Sequence, residues 1–280
     1  MSAPQPIRKV RSAKTLIFWK RYTAVEFLLW SKSQSMSQKL QITLATQNEG
    51  KRRELSELAK HSQRPVEFFI NPNAPDVDET GKTFQENAIL KARLSPPLEK
   101  GHWVLAEDSG LIIEALSGQY DLQDFPGIYT NRWLTRERFD MLMSYWAELP
   151  SEARSFVMPM DRVTENGMTN TELCLGVLAL MQGQKLRRAR YCCAMALWDP
   201  EDGLKGIVEK SIELWVTESN SLKGQNGFGY DPIMHLYDPA TGMIAQSTMA
   251  EMSMEEKNHL SHRGLAFKAL TEKFINAWNA

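Results

Sequence analysis

The chain has 280 residues, enough for one large domain or two small ones with a sizeable core. Apolar residues make up 42% of it and charged ones 24%, with a formal net charge of −1, so no global field selects nucleic acid or a membrane surface as partner. No apolar run is long enough to span a bilayer, and Cys174, Cys192 and Cys193 are too few for a disulfide framework. Neighbours on a strand point to opposite faces, so Cys192 and Cys193 read as separate, reduced, buried thiols of a cytoplasmic protein.

The first forty residues differ from the rest. They hold eight Lys or Arg against one acid, Glu26, with several serines. Residues 1–38 therefore read as a basic N-terminal extension: dispensable sequence before Met36, an organelle-targeting segment, or an arm for anionic partners. The last of these would make nucleic acid a partner, and nothing else in the chain supports one.

From Leu40 the elements follow in order. LQITLAT is β-branched and alternating, a strand over Leu40–Thr46. QNEGKRRELSELAK then continues as a helix that Asn48 can cap, with Leu55, Leu58 and Ala59 on one face. NPNAPDVDETG is a loop, and TFQENAILKARLS opens a helix at Thr83 with Glu86 three residues on, a capping box. WVLA predicts a short buried strand over Trp103–Ala106, ending in a turn at Glu107–Asp108–Ser109–Gly110. TRERFDMLMSYWAEL predicts a helix, while SFVMPMDRVTENGMTN reads as loop with strand fragments. RYCCAMALW and GIVEKSIELWV are core strands. After the glycine-rich KGQNGFGYDP, a helix starts at Ser253, with Glu256 completing a second capping box. Strands mixed with helices throughout predict an α/β protein without repeats.

Four places can carry chemistry. The strand–loop–helix unit at Thr46–Lys51 offers helix N–H groups and a lysine to phosphate, although an ordinary capped helix needs no ligand. It lacks the spacing of a Walker loop. Asp78, Glu79, Glu86, Glu107 and Asp108 gather hard oxygen donors within about thirty residues, a set suited to Mg²⁺ or Mn²⁺ and equally compatible with acidic surface loops. GFGYDP combines backbone freedom with two aromatics, for a planar ligand or a plain turn. Lys257 and His262 are five apart, so they share a face only if the helix breaks near Ser261. Such a break would turn His262 and Arg263 into a pocket; without it they would be surface residues.

In this order the segments carry a resemblance. Thr46–Lys51, Glu79–Arg93, Glu107–Leu111, Pro126–Arg132, Phe228–Pro232 and Ala250–Ala266 follow the motif order TxNxGKxxEL, ETGxTFxENAxxKAR, acidic-DSGL, PGIY with a following arginine, GFGYDP and AExSxEEKNxxSHRGxA. The chain from Leu40 onward resembles the inosine/xanthosine triphosphate pyrophosphatase family, the aberrant-purine nucleoside triphosphatases. The resemblance implies one elongated α/β domain over residues 39–280, a mixed sheet with flanking helices in two lobes around a nucleotide cleft, with insertions near 120–125 and 141–170. It implies hydrolysis of inosine, deoxyinosine and xanthosine triphosphates to monophosphate and pyrophosphate, with Mg²⁺ or Mn²⁺ as cofactor, in a homodimer.

Residue by residue, the resemblance implies that Thr46, Gln47, Asn48, Glu49, Gly50 and Lys51 cradle the triphosphate. Asp108 becomes metal ligand and proton acceptor for the attacking water, and Glu79, with Asp78 as an alternative, the second metal carboxylate. Ser109 contacts the nucleotide. Phe228, Gly229, Tyr230 and Asp231 hold base and sugar, Phe228 by stacking. Lys257 reaches the phosphates, and His262 and Arg263 donate to the 6-oxo edge of the base. A 6-amino group would face those donors with donors, at a cost of about 1–3 kcal/mol per mismatch. The chain departs from the family pattern at Gln47, where glycine is usual, at Glu107, where aspartate is usual, and at Thr130–Asn131, where Ser-Ala precedes the arginine. These departures leave two alternatives: a nucleotide-binding protein without hydrolysis, or a related pyrophosphatase for other modified nucleotides.

Overall fold

The computed structural model describes residues 39–47, 49–60, 62–118, 122–145, 163–164, 166–227 and 229–277. Residues 1–38, Asn48, Phe228 and most of the 141–170 insertion lie outside the described residues, and Glu49 and Gly50 enter as backbone only. Seven strands form one mixed sheet: β1 Leu40–Leu44, β2 Val66–Ile70, β3 Trp103–Ile113, β4 Arg188–Asp199, β5 Gly203–Val216, β6 Met234–Asp238 and β7 Met243–Thr248. Their order is β2-β1-β3-β4-β5-β6-β7, with β1 parallel to β2 and β3 and every later pair antiparallel. The helices are α1 Glu49–Ala59, α2 Phe84–Leu94, α3 Arg136–Tyr145, α4 Asn170–Leu180, α5 Met254–Leu260 and α6 His262–Leu270. No helix among the described residues is long and apolar enough to cross a membrane.

Sheet alternation divides the core. Trp103 and Leu105 of β3 pack with Cys193, Met195 and Leu197 of β4 and with Ala266, Phe267 and Leu270 of α6. The intervening residues Ala106 and Ile112 join Cys192, Ala194 and Ala196 against Phe84, Ala88 and Ala92 of α2. Period-two geometry dictates this split, and Cys192 and Cys193 lie on opposite faces as expected. Leu111 and Ile113 continue into a third cluster with Trp133, Leu134, Leu173 and Val177 beneath α4.

Three expectations change. Glu107–Gly110 is no turn: β3 runs unbroken through it, each residue paired to β4, from Glu107 with Met195 to Gly110 with Cys192. Turn-forming side chains yielded to a long antiparallel partner that satisfies the backbone groups. Gly110 serves the packing here, because a Cβ would collide with Thr130 and with the Gly127 carbonyl of the turn pressed against the strand. The second change is α4, capped by a reciprocal Thr169–Glu172 box inside a region that periodicity left unassigned. It is apolar all round and buried, so it carries no amphipathic stripe. Third, Thr83 caps α2 by accepting from the Glu86 N–H, but the Glu86 carboxylate accepts from Lys82, one residue before the cap. The box at Ser253 and Glu256 is reciprocal.

Candidate functional site

The site is built around two consecutive residues of β3. Glu107 faces α1 and α6, and Asp108 faces α2.

On the first face, Arg263 grips Glu107 with Nε at 2.7 Å and Nη2 at 3.1 Å, and its Nη1 reaches Glu54 of α1 at 3.1 Å. Lys51 Nζ adds a contact to Glu107 at 2.6 Å. Burial alone would raise the Glu107 carboxyl, but Arg263 and Lys51 hold it far below the usual carboxylate range. Thr46, Lys51 and Glu107 share one small cavity beneath the β1–α1 loop. Gln47 is turned away: its amide donates to the Asn71 carbonyl at 2.7 Å, tying the loop to the end of β2.

The chain does break at Ser261. That residue is extended, at φ −72° and ψ 151°, and closes α5 while capping α6 by accepting from the Gly264 N–H. His262 and Arg263 thereby become the first two residues of α6, both buried. His262 lies on Tyr191 at 5.0 Å, and its buried Nδ1 has no hydrogen-bond partner among the described residues. Burial first, then the charges of Arg263 and Lys257, push its pKa down to about 3, so the ring is neutral at physiological pH. Lys257 pairs with buried Asp231, which also faces the Tyr191 hydroxyl. Gly227, at φ +85°, permits this arrangement, because a Cβ there would strike both the Asp231 carboxylate and Lys257 Nζ.

On the second face, Asn87 and Lys91 lie four apart on α2 and point together at β3. The Asn87 amide donates to Asp108 Oδ2 at 3.0 Å while its carbonyl oxygen accepts from the Gly81 N–H at 2.8 Å. Lys91 Nζ bridges Glu79 Oε1 at 2.8 Å and Asp108 Oδ1 at 3.5 Å. Arg132 Nη1 takes the other Glu79 oxygen at 3.0 Å. Burial, followed by the nearby Glu79 charge against the pull of Lys91, raises the Asp108 pKa. The Glu79 pKa is lowered, because Lys91 and Arg132 outweigh its burial.

Several residues in these clusters carried no sequence assignment: Glu54, Asn87, Lys91 and Arg132. The i, i+4 spacing of Asn87 and Lys91 was the available signal. Two further assigned residues, besides Gln47, turn elsewhere. Buried Tyr230 uses its hydroxyl as a rivet, donating to the Thr130 carbonyl at 2.6 Å and accepting from the Trp133 indole at 2.8 Å. The Gly229 carbonyl accepts from Cys174 Sγ at 3.3 Å. Ser109 is half-buried on β3 opposite Cys193.

The second face suits a hard divalent cation. Glu79 and Asp108 provide two carboxylates, and Mg²⁺ ordinarily takes one or two carboxylates and completes its shell with water and substrate phosphates. The Lys91 ammonium, held between the two, marks that point as one where a cation is stable. Among the described residues no third carboxylate, His or Cys completes an all-protein cage.

An open, mixed α/β sheet gathers charged residues around one strand, with paired carboxylates and a lysine on one face and a guanidinium beside a neutral imidazole on the other, the build of an α/β protein with a polar ligand site. The chain belongs to the Ham1 family, whose pattern matches residues 42–158 and 157–273. It is 36% identical to a dITP/XTP pyrophosphatase of Bacillus anthracis over 85% of this chain and 97% of that protein. A Symbiobacterium thermophilum protein of the same description is 33% identical, over 85% of this chain and 96% of its own length. Among solved structures, a HAM1 protein from Coxiella burnetii superposes with a TM-score of 0.59 at 31% identity, over 83% of this chain and 97% of that one.

Proposed function

We propose that the protein hydrolyses aberrant purine nucleoside triphosphates (inosine, deoxyinosine and xanthosine) between the α and β phosphates, giving the monophosphate and pyrophosphate. Mg²⁺, or Mn²⁺ in its place, is the cofactor, and the working unit is a homodimer of the 39–280 domain. The observation that carries the reading is the arrangement on β3: Asp108, held by Asn87 and Lys91, one residue from the carboxylate that locks Arg263 beside His262, whose buried Nδ1 lacks a hydrogen-bond partner among the described residues. The dITP/XTP pyrophosphatases among the relatives support the substrate class.

The residues divide the work. A bound cation, held by Glu79 and Asp108, supplies charge neutralisation and lowers the pKa of water. Asp108 accepts the proton of the attacking water, and Asn87 fixes its orientation. Lys51, Lys91 and Lys257 offset the charge of the phosphate chain. Arg263 is held rigid by Glu107 and Glu54, and with the neutral His262 it presents hydrogen-bonding groups to the keto edge of the base. A neutral imidazole can donate through one nitrogen and accept at the other, so the pair can match a 6-oxo purine and leaves an amino purine mismatched. Phe228 stacks on the base, and Ser109 contacts the nucleotide.

The test is a substrate profile. With Mg²⁺ present, pyrophosphate release from inosine or xanthosine triphosphate exceeds that from adenosine triphosphate by at least 100-fold, on the scale set by buried hydrogen-bond mismatches. Equal rates on inosine and adenosine triphosphates, or binding without release, would refute the reading.

A further inference from the structure

The Glu79 carboxylate already has a cation on each oxygen. Lys91 sits on Oε1, deep in the site and shared with Asp108. Arg132 sits on Oε2 and comes from a different segment, the turn after Gly127–Tyr129, where its backbone N–H bonds the Tyr129 carbonyl at 2.8 Å. Glu79 is the carboxylate that Arg132 meets among the described residues, and its guanidinium lies over the Tyr129 ring at 5.0 Å. The Arg132 side chain is 23% exposed and is not part of the buried apolar core.

We propose that Arg132 is a positioning residue that competes with the divalent cation for Glu79, so that the cation binds tightly only together with the substrate's phosphates, to which the released guanidinium turns. This rests on the reading of Glu79 as a cation ligand given above. The physical argument is one of charge. Two positive groups within 3 Å of a single carboxylate lower its affinity for a third. An opposite charge this close shifts a carboxylate's affinity for a cation, as measured by its pKa, by about 1–3 log units. A triphosphate reverses the balance, because its oxygens complete the cation's shell and offer the planar guanidinium two acceptors at once. Arg132 thus keeps the hydrolytic face from holding the cation without substrate.

The experiment titrates Mn²⁺ into the full chain, without nucleotide, and reads bound Mn²⁺ by electron paramagnetic resonance. Arg132→Gln binds Mn²⁺ roughly tenfold more tightly than the wild type, the lower end of the range for one neighbouring charge. Arg132→Lys keeps the charge and stays within about threefold of the wild type on the same scale. Glu79→Gln abolishes the tightening in the Arg132→Gln background. A Mn²⁺ affinity in Arg132→Gln equal to or weaker than that of the wild type overturns the proposal, as does tightening that survives Glu79→Gln. If Arg132→Gln does not fold, Arg132→Ala gives the same reading. Hydrolysis of inosine triphosphate by the wild type is assayed separately: a wild type without turnover overturns the proposed function, whereas the Mn²⁺ comparison judges the role of Arg132 alone.

Discussion

Glu107 and Asp108 differ by one methylene and one position, yet they occupy contrasting surroundings. Glu107 is wrapped by Arg263 and Lys51 and is held far below the usual carboxylate range. Asp108, one residue on and across the sheet, meets one amide and a lysine shared with Glu79, and its pKa is raised. A carboxylate so stabilised in its charged form is a weak base and a firm structural counter-ion. One whose charge is poorly stabilised is poised to accept a proton. Strand alternation therefore lets one dipeptide serve two tasks, bracing Arg263, proposed to read the base, on one face and carrying Asp108, proposed to take the proton, on the other.

The contrast makes predictions that separate the two residues. Asp108→Asn, near-isosteric and without a base, loses about 10³-fold or more in turnover, the scale of general-base removal. Its denaturation midpoint stays close to that of the wild type, because the charge removed was poorly stabilised. A variant that retains a tenth of the activity would contradict the assignment. Glu107→Gln shows the converse pattern: it leaves Arg263 and Lys51 short of a buried counter-charge and costs about 3 kcal/mol, measured by urea unfolding. Equal stability losses in the two variants would erase the distinction between the faces.

A third effect is pH-dependent. His262 titrates near 3 in the folded protein against an ordinary value of 6.5. The unfolded chain therefore binds its proton first, and stability falls as pH drops from about 6.5 toward 3, by up to about 1.4 kcal/mol per pH unit. Glu107, depressed from an ordinary 4.5, adds its own loss as pH falls below that value. Between pH 6.5 and 4.5 His262 is the one of the two that responds, so His262→Asn flattens the stability curve in that window. An unchanged slope there would show that the imidazole is not held neutral by burial.

Much of this was legible in the chain. The strands at Leu40–Leu44 and Arg188–Asp199 announced themselves by β-branched and apolar runs, and the N-cap at Thr83 and the capping box at Ser253 by local polar spacing. The break at Ser261, raised by the five-residue spacing of Lys257 and His262, is present. The short strands β2, β6 and β7 and the helix α4 were not read. Short strands have too few residues to show a period, and a helix buried on every side has no polar face to mark it.

Motif order pointed to the class of chemistry and singled out Glu79, Asp108, Lys51, Lys257, His262 and Arg263 as candidates for one site, but not Lys91 or Arg132. Tertiary structure decided the assignments between them. Arg263 meets Glu107, whereas Lys91 and Arg132 meet Glu79. These contacts join residues up to 156 positions apart. Local propensity cannot encode such pairings, because they depend on which face of a strand each side chain leaves and which helix the fold lays over that face.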